Sequence, residues 1–98
     1  KYNLTLGTFG HAGDGNLHPT ILCDKNNADE MGRMHKAVDE IFKAALDFGG
    51  TLSGEHGIGA KRAEAMDRHM TPEQKTVFTL VKKAFDPNGI MNPGKVLI

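Results

Sequence analysis

The chain has 98 residues, 39% hydrophobic and 24% charged, with 12 Lys+Arg balanced by 12 Asp+Glu. That balance leaves no basic stripe to track a phosphate backbone, which makes nucleic acid a poor partner. No run of about 18 apolar residues is present to span a bilayer.

Residues 2–9 alternate, with Tyr2, Leu4 and Leu6 on one face and Asn3, Thr5 and Gly7 on the other, the period of a half-buried strand. The run Gly10-His11-Ala12-Gly13-Asp14-Gly15-Asn16-Leu17-His18-Pro19 follows, and Leu17–Cys23 reads as the returning strand, an edge or bulged one because of Pro19. Asp-Gly between two such runs predicts a hairpin closed by a type I′ turn. With Asp14 and Gly15 central, His11 stands opposite His18, and opposed residues share a face with Cβ atoms about 4.5–5.5 Å apart. Two imidazoles so held can chelate one metal ion; the alternative is a pair of partly exposed strand histidines. Cys23, the single cysteine, precludes an internal disulfide, suits a reducing compartment and reads as a small half-buried strand residue.

Asp24–Asn27 is a polar turn. Asn27 then caps a long helix, with Glu30 completing an Asn-x-x-Glu capping box. Met31, Met34, Val38, Ile41, Phe42, Ala45 and Phe48 form one apolar stripe that ends at Gly49-Gly50. Thr51-Leu52-Ser53 fits a short strand. A second helix is predicted over about Ile58–His69. The third starts with Thr71 as cap, Pro72 at its first position and Gln74 three after the cap; Val77, Leu80, Val81, Ala84 and Phe85 are its buried face and Pro87 its stop. His35 and His69 read as surface residues. Lys95, beside Asn92-Pro93-Gly94, either faces an anion or is solvated. The fold class is α+β, an antiparallel hairpin with amphipathic helices on one face. Because a lone hairpin is marginal in water, the expectation is half a sheet, completed from outside the chain or by a second copy, and its open edge invites self-association. Lys1 in place of an initiator Met, with Tyr2 entering a strand at once, leads to the expectation of a fragment of something longer.

Four of the nine residues from 49 to 57 are glycine. Within that stretch and just after it lies Gly54-Glu55-His56-Gly57-Ile58-Gly59. In an ordinary strand Glu55 and His56 point to opposite faces, but glycines permit kinked backbone and close approach. Glu55 can then join His11 and His18 as a two-histidine, one-carboxylate metal set with open positions, His56 standing close enough to move a proton. The same residues fit a glycine-rich turn with two solvated polar groups. A dinucleotide loop fits less well, since the order is Gly-x-x-Gly-x-Gly.

Gly10–His18, Ser53–Gly59 and Met91-Asn92-Pro93-Gly94-Lys95, in that order and spacing, resemble the C-terminal domain of the FAD-linked oxidases. This is the vanillyl-alcohol-oxidase-like superfamily, and the likeness is nearest to its glycolate oxidase and D-lactate dehydrogenase branch, which also holds the D-2-hydroxyglutarate dehydrogenases. The resemblance covers residues 1–98 and implies the final part of a ferredoxin-like cap domain, with the N-terminal FAD-binding domain absent. It implies that His11, His18 and Glu55 are ligands of a divalent metal, zinc or manganese. It further implies that His56 is the base taking the substrate hydroxyl proton and that Asn92 lies near the flavin. Thr20 stands where the 2-hydroxyglutarate branch has a substrate-contacting Asn, a departure that argues against a dicarboxylic substrate. The implied parent oxidises a small 2-hydroxy acid by hydride transfer to FAD and passes electrons to a separate acceptor. Sister subunits of a glycolate oxidase complex and a cytoplasmic location, peripheral to the inner membrane, follow from the same likeness; the fragment alone is expected to be inactive. From the residues alone, a metal-dependent hydrolase and a non-catalytic metal-stabilised binding module remain as rivals.

Overall fold

In the computed structural model, which describes residues 1–98, two strands and three helices form two units, Lys1–Glu55 and His56–Ile98. This is the expected α+β class.

In the first unit, β1 (Thr5–His11) pairs antiparallel with β2 (Asn16–Leu22). β1 starts three residues later than the alternation predicts. Asn3 sits at φ 51, outside the extended region, and the carbonyls of Tyr2 and Asn3 accept from Arg33 Nη1 at 2.8 and 2.7 Å instead of joining a ladder. The turn also departs from expectation. Ala12–Asp14 form a 3₁₀ turn and Gly15 follows at φ 68, its N–H donating to Ala12 O at 3.3 Å. The loop therefore has four residues, and His11 lies opposite Asn16 while Phe9 lies opposite His18. Register moves by two positions, and because two is the side-chain period of a strand, both histidines stay on one face. No bulge is needed at Pro19, which pairs with Thr8 in a strand that has one partner only.

α1 (Ala28–Asp47) runs beside the other face of the hairpin, across an open cleft. Leu4 just before β1, Leu6 and Ile21 from the hairpin, and Ala37, Ile41 and Ala44 from the helix line a cleft of about 420 Å³. At its mouth Tyr2 Oη donates to Glu40 Oε1 at 2.6 Å, and Lys1 pairs with the same carboxylate. Asn27 Oδ1 caps the helix, accepting from the N–H groups of Asp29 and Glu30. The second half of the expected capping box fails, because Asn27 N–H is already given to Asp24 O at 3.1 Å; Glu30 Oε2 accepts from Asp24 N–H instead, at 2.7 Å. The far end closes as a Schellman motif: Gly50 N–H reaches Ala45 O at 2.8 Å, Gly49 N–H reaches Leu46 O at 2.9 Å, and Gly49 is at φ 79. Phe48, expected in the stripe, is the C-cap residue itself and is exposed. Cys23 is half-buried just past β2, its Sγ 3.8 Å from Met31 Sδ. Thr51–Ser53 form no strand, although Leu52 is buried.

In the second unit, α2 (Ala63–His69) starts five residues later than expected. Gly57 and Gly59, at φ 75 and 55, cannot sit in a right-handed helix, and Arg62 Nη1 holds the loop by donating to Gly57 O at 3.1 Å. His69 is half-buried, not a surface residue, whereas His35 on α1 is exposed as expected. α3 (Pro72–Phe85) has the full predicted capping box between Thr71 and Gln74. Its expected buried face is exposed: Val77, Leu80, Val81 and Phe85 all lie open, and the buried apolar residues here are Ala63 and Ala65. The helix ends on Asp86, a buried carboxylate that accepts from the N–H groups of Ile90 (3.0 Å) and Met91 (2.9 Å) and pairs with Lys82. Lys82 also donates to Met91 O.

The Lys82 ammonium holds the Asp86 carboxyl below its ordinary value; burial opposes that shift, and the two N–H groups add to it. A depressed folded-state value gives stability that is complete above the ordinary carboxylate range, about pH 4, and is lost as pH falls through the lowered value. Asp86→Asn is therefore expected to unfold more readily than the parent at pH 7, with the difference shrinking below pH 4 in acid titrations. A gap that stays constant down to pH 2 would contradict this account.

Candidate metal centre

The face of the hairpin turned away from α1 carries Phe9, His11, Asn16, His18 and Thr20, as the register dictates. His11 and His18 are diagonal neighbours, their ring centroids 5.6 Å apart and their planes nearly perpendicular at 86°. Phe9, directly opposite His18, packs on that imidazole with centroids 5.1 Å apart and an interplanar angle of 33°. Ring packing of this kind leaves His18 the more enclosed of the pair, with 20% of its side chain exposed against 58% for His11.

Glu55 brings the third group. Its Oε1 lies 3.3 Å from His11 Nε2 and 3.1 Å from His18 Nε2, and one ligand atom from each of the three residues lies within 4.8 Å of the others. Neighbouring donors bound to one divalent ion at about 2.0–2.2 Å stand roughly 2.8–3.6 Å apart in octahedral or tetrahedral arrangements. The two nitrogen–oxygen separations fall in that range. As an ion pair between half-exposed groups, the same contact is worth at most about 1 kcal/mol.

Two glycines of the sequence motifs are explained by close approach. A Cβ on Gly10 would stand 2.1 Å from the Asn16 carbonyl oxygen and 3.0 Å from Leu17 Cα, both backbone. A Cβ on Gly54 would stand 2.0 Å from Asn16 Oδ1. Sequence reasoning passed over Phe9 and Asn16. The signal for both was in the Ala-Gly-Asp-Gly loop, which as a four-residue turn with Gly15 left-handed sets Phe9 against His18.

Of the five residues singled out from sequence, the structure brings together His11, His18 and Glu55. His56 and Asn92 belong to the second unit. His56 is exposed and lines a loop hollow of about 310 Å³ with residues 57–62. Asn92 is exposed at φ 45, a left-handed conformation that asparagine tolerates, in the turn beyond the Asp86 hub. Lys95 is exposed, its Nζ 3.4 Å from Pro93 O.

An α+β chain with this two-histidine, one-carboxylate cluster on the open face of a hairpin matches the family described as FAD linked oxidases, C-terminal domain, over residues 1–96, and it belongs to that family. It is 48% identical over 96 residues to the glycolate oxidase subunit GlcD of Bacillus subtilis, covering 98% of this chain and 20% of that protein. It is 40% identical over 95 residues to a probable mitochondrial D-lactate dehydrogenase of Danio rerio, covering 97% and 19%. With the D-2-hydroxyglutarate dehydrogenase of Stutzerimonas stutzeri it shares 40% over 90 residues, covering 90% and 19%. The chain thus spans about a fifth of the length of the curated relatives it matches.

The glycine contacts give a direct test of the hairpin register. Gly10→Ala, blocked by backbone atoms, is expected to cost about 1–3 kcal/mol of stability. Gly7→Ala, with nothing within 4 Å of its Cβ, should be neutral or stabilising by up to about 1 kcal/mol. Equal effects of the two substitutions in thermal unfolding would refute the register.

Proposed function

We propose that this chain is the C-terminal part of a flavin-dependent 2-hydroxy-acid oxidoreductase acting on glycolate or D-lactate, to which it contributes a metal site and a proton acceptor. The observation that carries the proposal is the approach of the Glu55 carboxylate to His11 and His18, at 3.3 and 3.1 Å, in a chain whose relatives are named for glycolate and D-lactate oxidation. Bound there, a divalent ion, zinc or manganese, would supply Lewis acidity toward a hydroxy-acid substrate. FAD, bound mainly by residues outside this chain, supplies the hydride acceptor.

The chain's own residues do the rest. His11, His18 and Glu55 would hold the ion on the hairpin face opposite the Leu6–Ile21 side, as three protein donors do in sites that accept a further ligand. His56, the residue after Glu55, takes the proton of the substrate hydroxyl. Thr20 shares the histidines' face two residues beyond His18, and its short side chain offers no amide to a second carboxylate, which favours small monocarboxylic acids. Asn92, exposed in its left-handed turn, would be the residue of this chain that approaches the flavin. Electrons then pass to a separate acceptor, with sister subunits of a glycolate oxidase complex as the expected partners and the cytoplasmic side of the inner membrane as the place.

His11→Ala is expected to remove most of the bound metal, because two remaining donors hold it poorly; unchanged metal content by elemental analysis would sink the assignment. His56→Ala, in the flavin-containing protein, is expected to lower turnover by about two to four orders of magnitude with metal content intact. Near-parent turnover at neutral pH would mean that another group takes the proton.

A further inference from the structure

The hairpin supplies both imidazoles, but the carboxylate comes from a loop more than thirty residues later in the chain, and something must set that loop against the hairpin. Asn16 is placed to do so. It is the first residue of β2, lies opposite His11 and shares a face with His18 two residues on. Its amide fills the space in front of Gly54, the residue before Glu55. A Cβ there would lie 2.0 Å from Asn16 Oδ1, 2.5 Å from Cγ and 3.2 Å from Nδ2. Gly54 does not occupy the left-handed region, unlike Gly57 and Gly59. Its lack of a side chain therefore answers to this close approach and not to backbone conformation. On the other side the loop is fixed by buried Leu52 and by Thr51 Oγ1 donating to Ser53 O at 2.9 Å.

We infer that Asn16 is a positioning residue, whose side chain bears on Gly54 and thereby sets Glu55 against His11 and His18. The inference rests on the metal assignment only for what the positioning is for; the contact itself is independent of any ion. Asn16 is tied by its backbone to the ladder, and its short amide cannot withdraw from a Cβ at position 54 without turning off the loop. Gly54→Ala and Asn16→Ala therefore undo the same contact from opposite sides.

The test is a double-mutant cycle on this chain, read by Co²⁺ titration and by proton NMR without metal. Each single substitution is expected to weaken Co²⁺ binding about 10- to 100-fold, the usual effect of losing a group that orients a ligand. The double variant should be no weaker than the poorer single, since only one contact is lost. Singles within threefold of the parent, or losses that add, would overturn the inference. In the metal-free parent, Gly54 Hα should show an NOE to the Asn16 side-chain amide, and Glu55 Hγ one to His18 Hε1. The second should vanish in both singles. Asn16→Asp, which keeps the shape, should retain it, and this decides the matter if the alanine variants fold poorly. Absence of the Gly54–Asn16 NOE in the parent overturns the positioning role whatever Co²⁺ does. A parent that binds no Co²⁺ but shows both NOEs overturns the metal assignment and leaves the positioning role standing.

Discussion

Two imidazole nitrogens and one carboxylate oxygen meet on the uncovered face of a two-stranded sheet, and this meeting depends on the side-chain parity of the hairpin. α1 takes the face bearing Leu4, Leu6 and Ile21, so residues of the opposite parity, Phe9, His11, Asn16, His18 and Thr20, are left to chemistry. A shift of register by one would send an imidazole into the helix interface; a shift by two would not. The four-residue turn and the close approach at Gly10 fix which register is adopted.

The contact between Glu55 and the histidines cannot hold its own loop. At the exposures seen here an ion pair contributes at most about 1 kcal/mol, less than the cost of ordering even one backbone residue, about 1–2 kcal/mol. Order in the loop comes instead from the burial of Leu52, the Thr51–Ser53 turn and the Asn16–Gly54 contact. The carboxylate is thus presented to the two imidazoles by packing. The chain buries little otherwise: Leu52, Ala63 and Ala65 are its buried apolar residues, while the amphipathic face of α3 and several hairpin side chains stay open. A chain this short is expected to be modestly stable on such a core.

Much of this was legible in the residues. Capping signals worked wherever side chain and backbone had no competitor, as at Thr71–Gln74 and Gly49–Gly50. They half failed at Glu30, where a backbone bond between Asn27 and Asp24 had already taken the donor. The glycines at 57 and 59 were read as permissive, but their positive φ values also delayed α2 to Ala63. The type I′ expectation at Asp14-Gly15 gave the wrong partners and the right face, because the error was one full period of the strand. What periodicity could not show was burial: the apolar stripe of α3 is present, but whether such a stripe is covered depends on tertiary context and not on its spacing.

The central claim is that His11, His18 and Glu55 bind one divalent ion together. The most direct measurement is anomalous diffraction at the zinc absorption edge from crystals of this chain grown with equimolar Zn²⁺. The account predicts one anomalous peak about 2.0–2.2 Å from His11 Nε2, His18 Nε2 and a Glu55 carboxylate oxygen. A peak bound by other side chains, or no peak beside these three, would contradict it.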